Sequence, residues 1–120
     1  MDVFVWIMTG LLAVAFLGAG TMKVARPKAA LAEAGLGWTE DFSPGSIKAI
    51  GGLEVLAGLG LILPAVTGIA PVLVGWAAIG LCLMMVGAAV VHVRRGEPAL
   101  AVANGALFAL AAFVAWAQLS

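Results

Sequence analysis

Four stretches of about twenty residues, Val3 to Met22, Ser46 to Leu63, Pro71 to Val93 and Ala99 to Leu119, contain only Lys48 and Glu54 as formally charged side chains. A helix rising about 1.5 Å per residue needs about 20 apolar residues to cross about 30 Å of hydrocarbon, so each stretch is a membrane span. The rest of the chain cannot offset them with a polar surface. Six acids and six bases in 120 residues give 10% charged against 64% hydrophobic residues, where an average soluble domain is about a quarter charged and about half apolar. The expectation is an all-α integral membrane protein: a single transmembrane domain over residues 1–120, folded as a four-transmembrane-helix bundle with helices about 3–22, 46–63, 71–93 and 99–119.

The first stretch ends in small residues, Gly18 to Gly20, as the apolar core of a secretory signal does. A signal also needs a positively charged start, and Asp2 is the only charge before the apolar run, so the run reads as a span. The segment Lys23 to Gly45 gathers three bases, three acids, Pro27 and Pro44 and is the one long loop. Within it, Lys28 to Trp38 (KAALAEAGLGW) is alanine-rich with an aromatic end and suits either a short interfacial helix or a plain amphipathic connector. Ser43 followed by Pro44 resembles a capping residue with proline at the first helical position. Pro64 and Pro71 bracket an uncharged connector, and Arg94 to Pro98 form a short charged turn.

All six bases, Lys23, Arg26, Lys28, Lys48, Arg94 and Arg95, fall in or beside the first and third loops. The positive-inside rule then predicts cytoplasmic loops there and both termini outside. Trp6, Trp76 and Trp116 near the opposite helix ends, with Trp38 in the long loop, fit aromatic belts at the two interfaces. The zero net charge removes the case for nucleic-acid binding through a basic surface.

Within the spans, few residues can carry chemistry. Glu54 lies about eight residues inside the second helix, and an ionised side chain at such depth needs a partner or a proton. Gly51 and Gly58 share its helix face at three- and four-residue steps and leave room for a neighbouring helix or a ligand. The third helix carries His92 and the first ends in Lys23, both at the same membrane face. The fourth carries Asn104 about six residues in from that face, on the edge of a small-residue ridge formed by Ala101, Gly105 and Ala109. One polar group per helix at a common depth predicts one pocket or proton path, with Glu54 and His92 handling protons and Lys23, Asn104, Gly51 and Gly58 binding a ligand. The lone Cys82 cannot form a disulfide within the chain. One histidine cannot supply bis-histidine haem ligation, and no residues have metal-ligand spacing. No tightly bound cofactor is expected; a redox role would use a diffusible quinone or a partner that holds the cofactor.

GTMKV closing the first helix, GGLEVLAGLGLILP in the second and GAAVVHVRRGE closing the third, followed by the asparagine-bearing helix, resemble the DoxX-like family of small four-helix bacterial membrane proteins. Lys23, Glu54 and His92 occur in the expected helices and order. The resemblance implies a bacterial plasma membrane protein, similar to the small membrane subunit of thiosulfate:quinone oxidoreductase, with some members linked to oxidoreductase complexes in oxidative-stress defence. The leading expectation is a quinone- or lipid-interacting subunit of a membrane redox system. Two alternatives stay open: a protein that binds or transports a small apolar molecule, and a stand-alone intramembrane isomerase using Glu54 as acid or base. The expected partners are the lipid bilayer, a quinone or other apolar molecule, a redox protein and further copies of the chain.

Overall fold

The computed structural model describes residues 3–33, 35–70 and 72–119. They form α1 (Val3–Ala25), α2 (Lys28–Glu33), a 3-10 turn (Gly37–Asp41), α3 (Pro44–Thr67), α4 (Leu73–Arg94) and α5 (Pro98–Leu119). The four long helices, α1, α3, α4 and α5, are each long and apolar enough to cross a membrane, and they are hydrophobic on every face, as lipid surroundings require. The chain is a four-helix membrane bundle. Its α1–α3 loop and α4–α5 turn, which hold most of the bases, share one end, called here the basic end; the α3–α4 connection lies at the other.

The expected short helix in the long loop is present as α2, only six residues long, and its Leu31 is fully buried. The 3-10 turn follows it. Ser43 caps α3 by accepting from the Ser46 amide at 3.1 Å, with Pro44 in the first turn.

Two spans run past their expected ends, and the first does so by three residues, from Met22 to Ala25. The second span does not stop before Pro64 but runs one turn further, to Thr67. Proline removes its own amide donor and crowds the carbonyl one turn back, and within lipid-spanning bundles both effects are absorbed by neighbouring groups and local adjustment. Here the last turn is held by the Thr67 hydroxyl donating to the Leu63 carbonyl at 2.7 Å, and by the Gly68 amide donating to the Pro64 carbonyl at 3.0 Å. Gly68, at φ 72°, takes the left-handed conformation that ends the helix. The expected start of the third span, Pro71, lies outside the described residues, and α4 begins at Leu73. At the basic end α4 closes on Gly96 (φ 70°), with the Glu97 amide donating to the His92 carbonyl at 2.8 Å.

Helices α1 and α3 pack closely along their length, as do α4 and α5; α3 meets α4, and α1 touches α5 more lightly. Buried residues repeat at three- and four-residue steps: Ile47, Gly51, Glu54, Gly58 and Leu61 on α3, and Val74, Ala78, Leu81 and Met85 on α4. The shared core of Leu12, Ala13, Phe16, Leu61, Val74, Ala78, Leu81, Ala111 and Val114 fills the half away from the basic end. There the Gln118 amide donates to the Thr9 hydroxyl at 3.2 Å and ties α5 to α1.

Candidate functional site

The same spacing that buries the core carries polar groups inward at the basic end. Lys23 follows Phe16 and Gly20 on the inner face of α1, Glu54 sits between Gly51 and Gly58 on α3, and His92 lies two turns beyond Met85 on α4. On α5, Asn104 and Leu107 precede Ala111 and Val114 on one face.

Lys23 Nζ donates to Glu54 Oε1 at 2.5 Å, with the two side chains 12% and 4% exposed. Burying two charges is costly, and they stay buried only when they satisfy each other. The ammonium also lies 5.5 Å from the centre of the Trp38 ring, within cation–π range. The pair depends on two glycines that bring α1 and α3 together. A Cβ on Gly51 would fall 2.7 Å from Lys23 Cβ and 2.8 Å from the Gly20 carbonyl oxygen. A Cβ on Gly58 would likewise fall 2.7 Å from Leu17 Cγ. The room beside these glycines is thus taken by a helix: neither lines the cavity described next.

Between the α1/α3 and α4/α5 pairs lies a cavity of about 480 Å³, within the range of small-molecule sites. Ala15, Ala19, Ile50, Leu53, Met84, Ala88 and Val91 are among its walls, and Leu36, Trp38 and Phe42 close it from the long loop. Apart from the Trp38 indole, its polar side chains are Lys23, Glu54, His92 and Asn104, so the four predicted residues converge on one space. They differ in what already engages them. Asn104 lines the cavity and makes no side-chain hydrogen bond among the described residues. His92 pairs not with Glu54 but with Glu97, Nδ1 lying 3.0 Å from Oε1. With Glu97 ionised, Nδ1 is the donor, and Nε2 has no protein partner among the described residues.

Glu97 also accepts from Arg95 Nε at 3.1 Å, and Arg95 Nη1 donates to Asp41 Oδ2 at 2.5 Å. The hydrogen bond from His92, and then Arg95, hold the Glu97 carboxyl below its usual range, while the Asp41 contact raises Arg95. This chain of contacts runs from the cavity to the loop that roofs it, where Trp38 and Phe42 stack edge to face at 5.4 Å. Sequence reasoning took Arg95 only as a topological charge, and it overlooked Gly20, Phe42, Asp41 and Glu97. Among the described residues no three His, Cys, Asp or Glu side chains gather to hold a metal. Cys82 packs at the α4–α5 contact, its thiol 3.9 Å from the Phe108 carbonyl.

Comparison with protein families matches residues 7–114 to the DoxX-like family. No curated protein and no solved structure matches the chain.

Proposed function

The chain belongs to the DoxX-like family, and from that premise we propose that its cavity holds a quinone or a lipid-like molecule of similar shape, as a membrane-embedded subunit serving a redox partner. The observation that carries the reading is the distribution of polarity in the cavity: a mostly apolar chamber of about 480 Å³ with its four polar side chains drawn from four helices. An apolar body with one polar head suits such a space. Lys23 and the Asn104 amide offer donors to a carbonyl oxygen, and Glu54 and His92 can hold protons. Reduction of a quinone to a quinol takes two electrons and two protons. In this reading the electrons come from the partner protein and the protons pass through Glu54 and His92.

The test is retention of ligand by the purified protein. In mild detergent, wild type should carry a quinone or lipid detectable by mass spectrometry. Lys23→Met with Glu54→Gln, which removes both charges of the pair, should unfold at nearly the wild-type temperature yet lose the ligand. Asn104→Ala should weaken retention at unchanged stability. A Lys23→Met/Glu54→Gln protein that keeps its ligand would show that the pair does not hold it. Wild type that co-purifies with neither class of molecule, and takes up no added quinone, would sink the proposal.

A further inference from the structure

A second cleft, of about 420 Å³, opens at the basic end between the end of α1, the start of α2 and the first turn of α3. Its lining includes Lys23, Arg26, Lys28 and Lys48, together with Pro44 and Ile47, and no acidic side chain. Lys23 is already paired with Glu54. Lys48 donates to the Val24 carbonyl at 2.7 Å, which settles the negative end of α1 and holds the ammonium at the cleft. Arg26, Lys28 and Lys48 form no ion pair among the described residues. The nearby acids are engaged elsewhere or lie outside the cleft: Asp41 is held by Arg95, and Glu33 and Glu40 do not line it. Three cations without a counter-charge therefore meet in one concave space beside the N-terminus of a long helix, whose dipole adds to their field.

The positive-inside rule accounts for bases at this end but not for their meeting in a single cleft without an acid. Arg94 is the contrast, an exposed base at the same end that does not line the cleft. The cleft also sits at the ends of two spans, and Val24, just before it on α1, is an apolar side chain 43% exposed. We propose that this cleft binds the phosphate of an anionic phospholipid, with Arg26, Lys28 and Lys48 as its cationic contacts. Basic pockets between spans at the membrane surface are suited to such headgroups. The assignment is independent of what fills the larger cavity.

The experiment titrates detergent-purified protein with phosphatidylglycerol, phosphatidylcholine or inorganic phosphate, reading retained lipid by native mass spectrometry and the shift in unfolding temperature. Wild type should retain phosphatidylglycerol in preference to phosphatidylcholine. Arg26→Gln with Lys28→Gln should bind phosphatidylglycerol roughly thirtyfold more weakly, from the usual contribution of two surface cations, while unfolding normally without lipid. Lys28→Glu alone should abolish the preference, and Arg94→Gln should leave it intact. Equal loss in Arg94→Gln would show diffuse attraction to the whole end and overturn the site. Stabilisation by inorganic phosphate, with the same dependence on Arg26 and Lys28 and no preference between lipids, would overturn the lipid as its occupant.

Discussion

Around Leu12, Leu61, Val74, Leu81 and Val114 the four spans meet side chain to side chain, whereas nearer Lys23, Glu54 and His92 the two helix pairs stand apart around a cavity. Apart from those polar groups and Asn104 the walls of both halves are apolar, so the hydrophobicity of the walls does not distinguish them. Side-chain size does. The cavity is flanked by Ala15 and Ala19 on α1 and by Gly87 and Ala88 on α4, which are too small to fill the space between their helices. In the same half Gly20 and Gly51 pull α1 against α3, so the free volume gathers between the pairs and not within one. In lipid, where apolar surface gains little by leaving its surroundings, such packing differences set where a bundle is tight and where it is open.

The largest effect should come from breaking the ion pair that the open half contains. Lys23→Met leaves the Glu54 carboxylate buried without its cation, and removing one partner of a buried pair typically costs about 3–5 kcal/mol. Adding Glu54→Gln to the same chain removes the orphaned charge and should restore most of the stability. Unfolding in detergent, followed by circular dichroism, measures both. Should Lys23→Met prove as stable as wild type, the pair does not hold the open half together.

A smaller effect sharpens the contrast in packing. Leu61 is fully buried in the tight half, and Leu61→Ala should cost about 2 kcal/mol, the low end of the usual range, because the lost transfer from water counts for little in a membrane. Val91 lines the cavity. Val91→Ala enlarges that space without opening a new void in packed surroundings and should cost well under about 1 kcal/mol. Equal losses at the two positions would mean that Val91 is as tightly packed as Leu61.

The four spans and the convergence of Lys23, Glu54, His92 and Asn104 were legible in the sequence because one polar group in an apolar helix stands out, and helical rise places it at a depth. Arithmetic along one helix could not say what faces it. It put Gly51 and Gly58 on the face of Glu54, and only the packing of α1 decides that a helix, and not a ligand, lies against them. It also ended the second span at Leu63, because proline is a stop signal in water and a tolerated residue in lipid. The contacts of the roof were the least legible. Glu97 meets His92 across the end of α4, where the face rule lapses, and Arg95 meets Asp41 across 54 residues of chain.

Those roof contacts give the smallest effect and the last test. Glu97 lies outside the spans, and its carboxyl is held below the usual value near 4.5 by the His92 hydrogen bond and then by Arg95. A carboxyl whose folded value is depressed adds stability that is fully present above its unfolded value and is lost as pH falls through the folded one. Glu97→Gln should therefore unfold slightly more easily than wild type at pH 7, and the difference should shrink below pH about 4.5 as wild-type Glu97 takes up a proton. The roof contacts are solvated, so the stability change is modest; exchange of a fluorescent apolar probe with the cavity should respond more, becoming faster in Glu97→Gln and in Arg95→Gln at pH 7. A constant stability difference from pH 7 to 3, with unaltered probe exchange, would mean that the contacts from His92 to Asp41 do not hold the roof, and that the open half is closed by the packing of Trp38 and Phe42 alone.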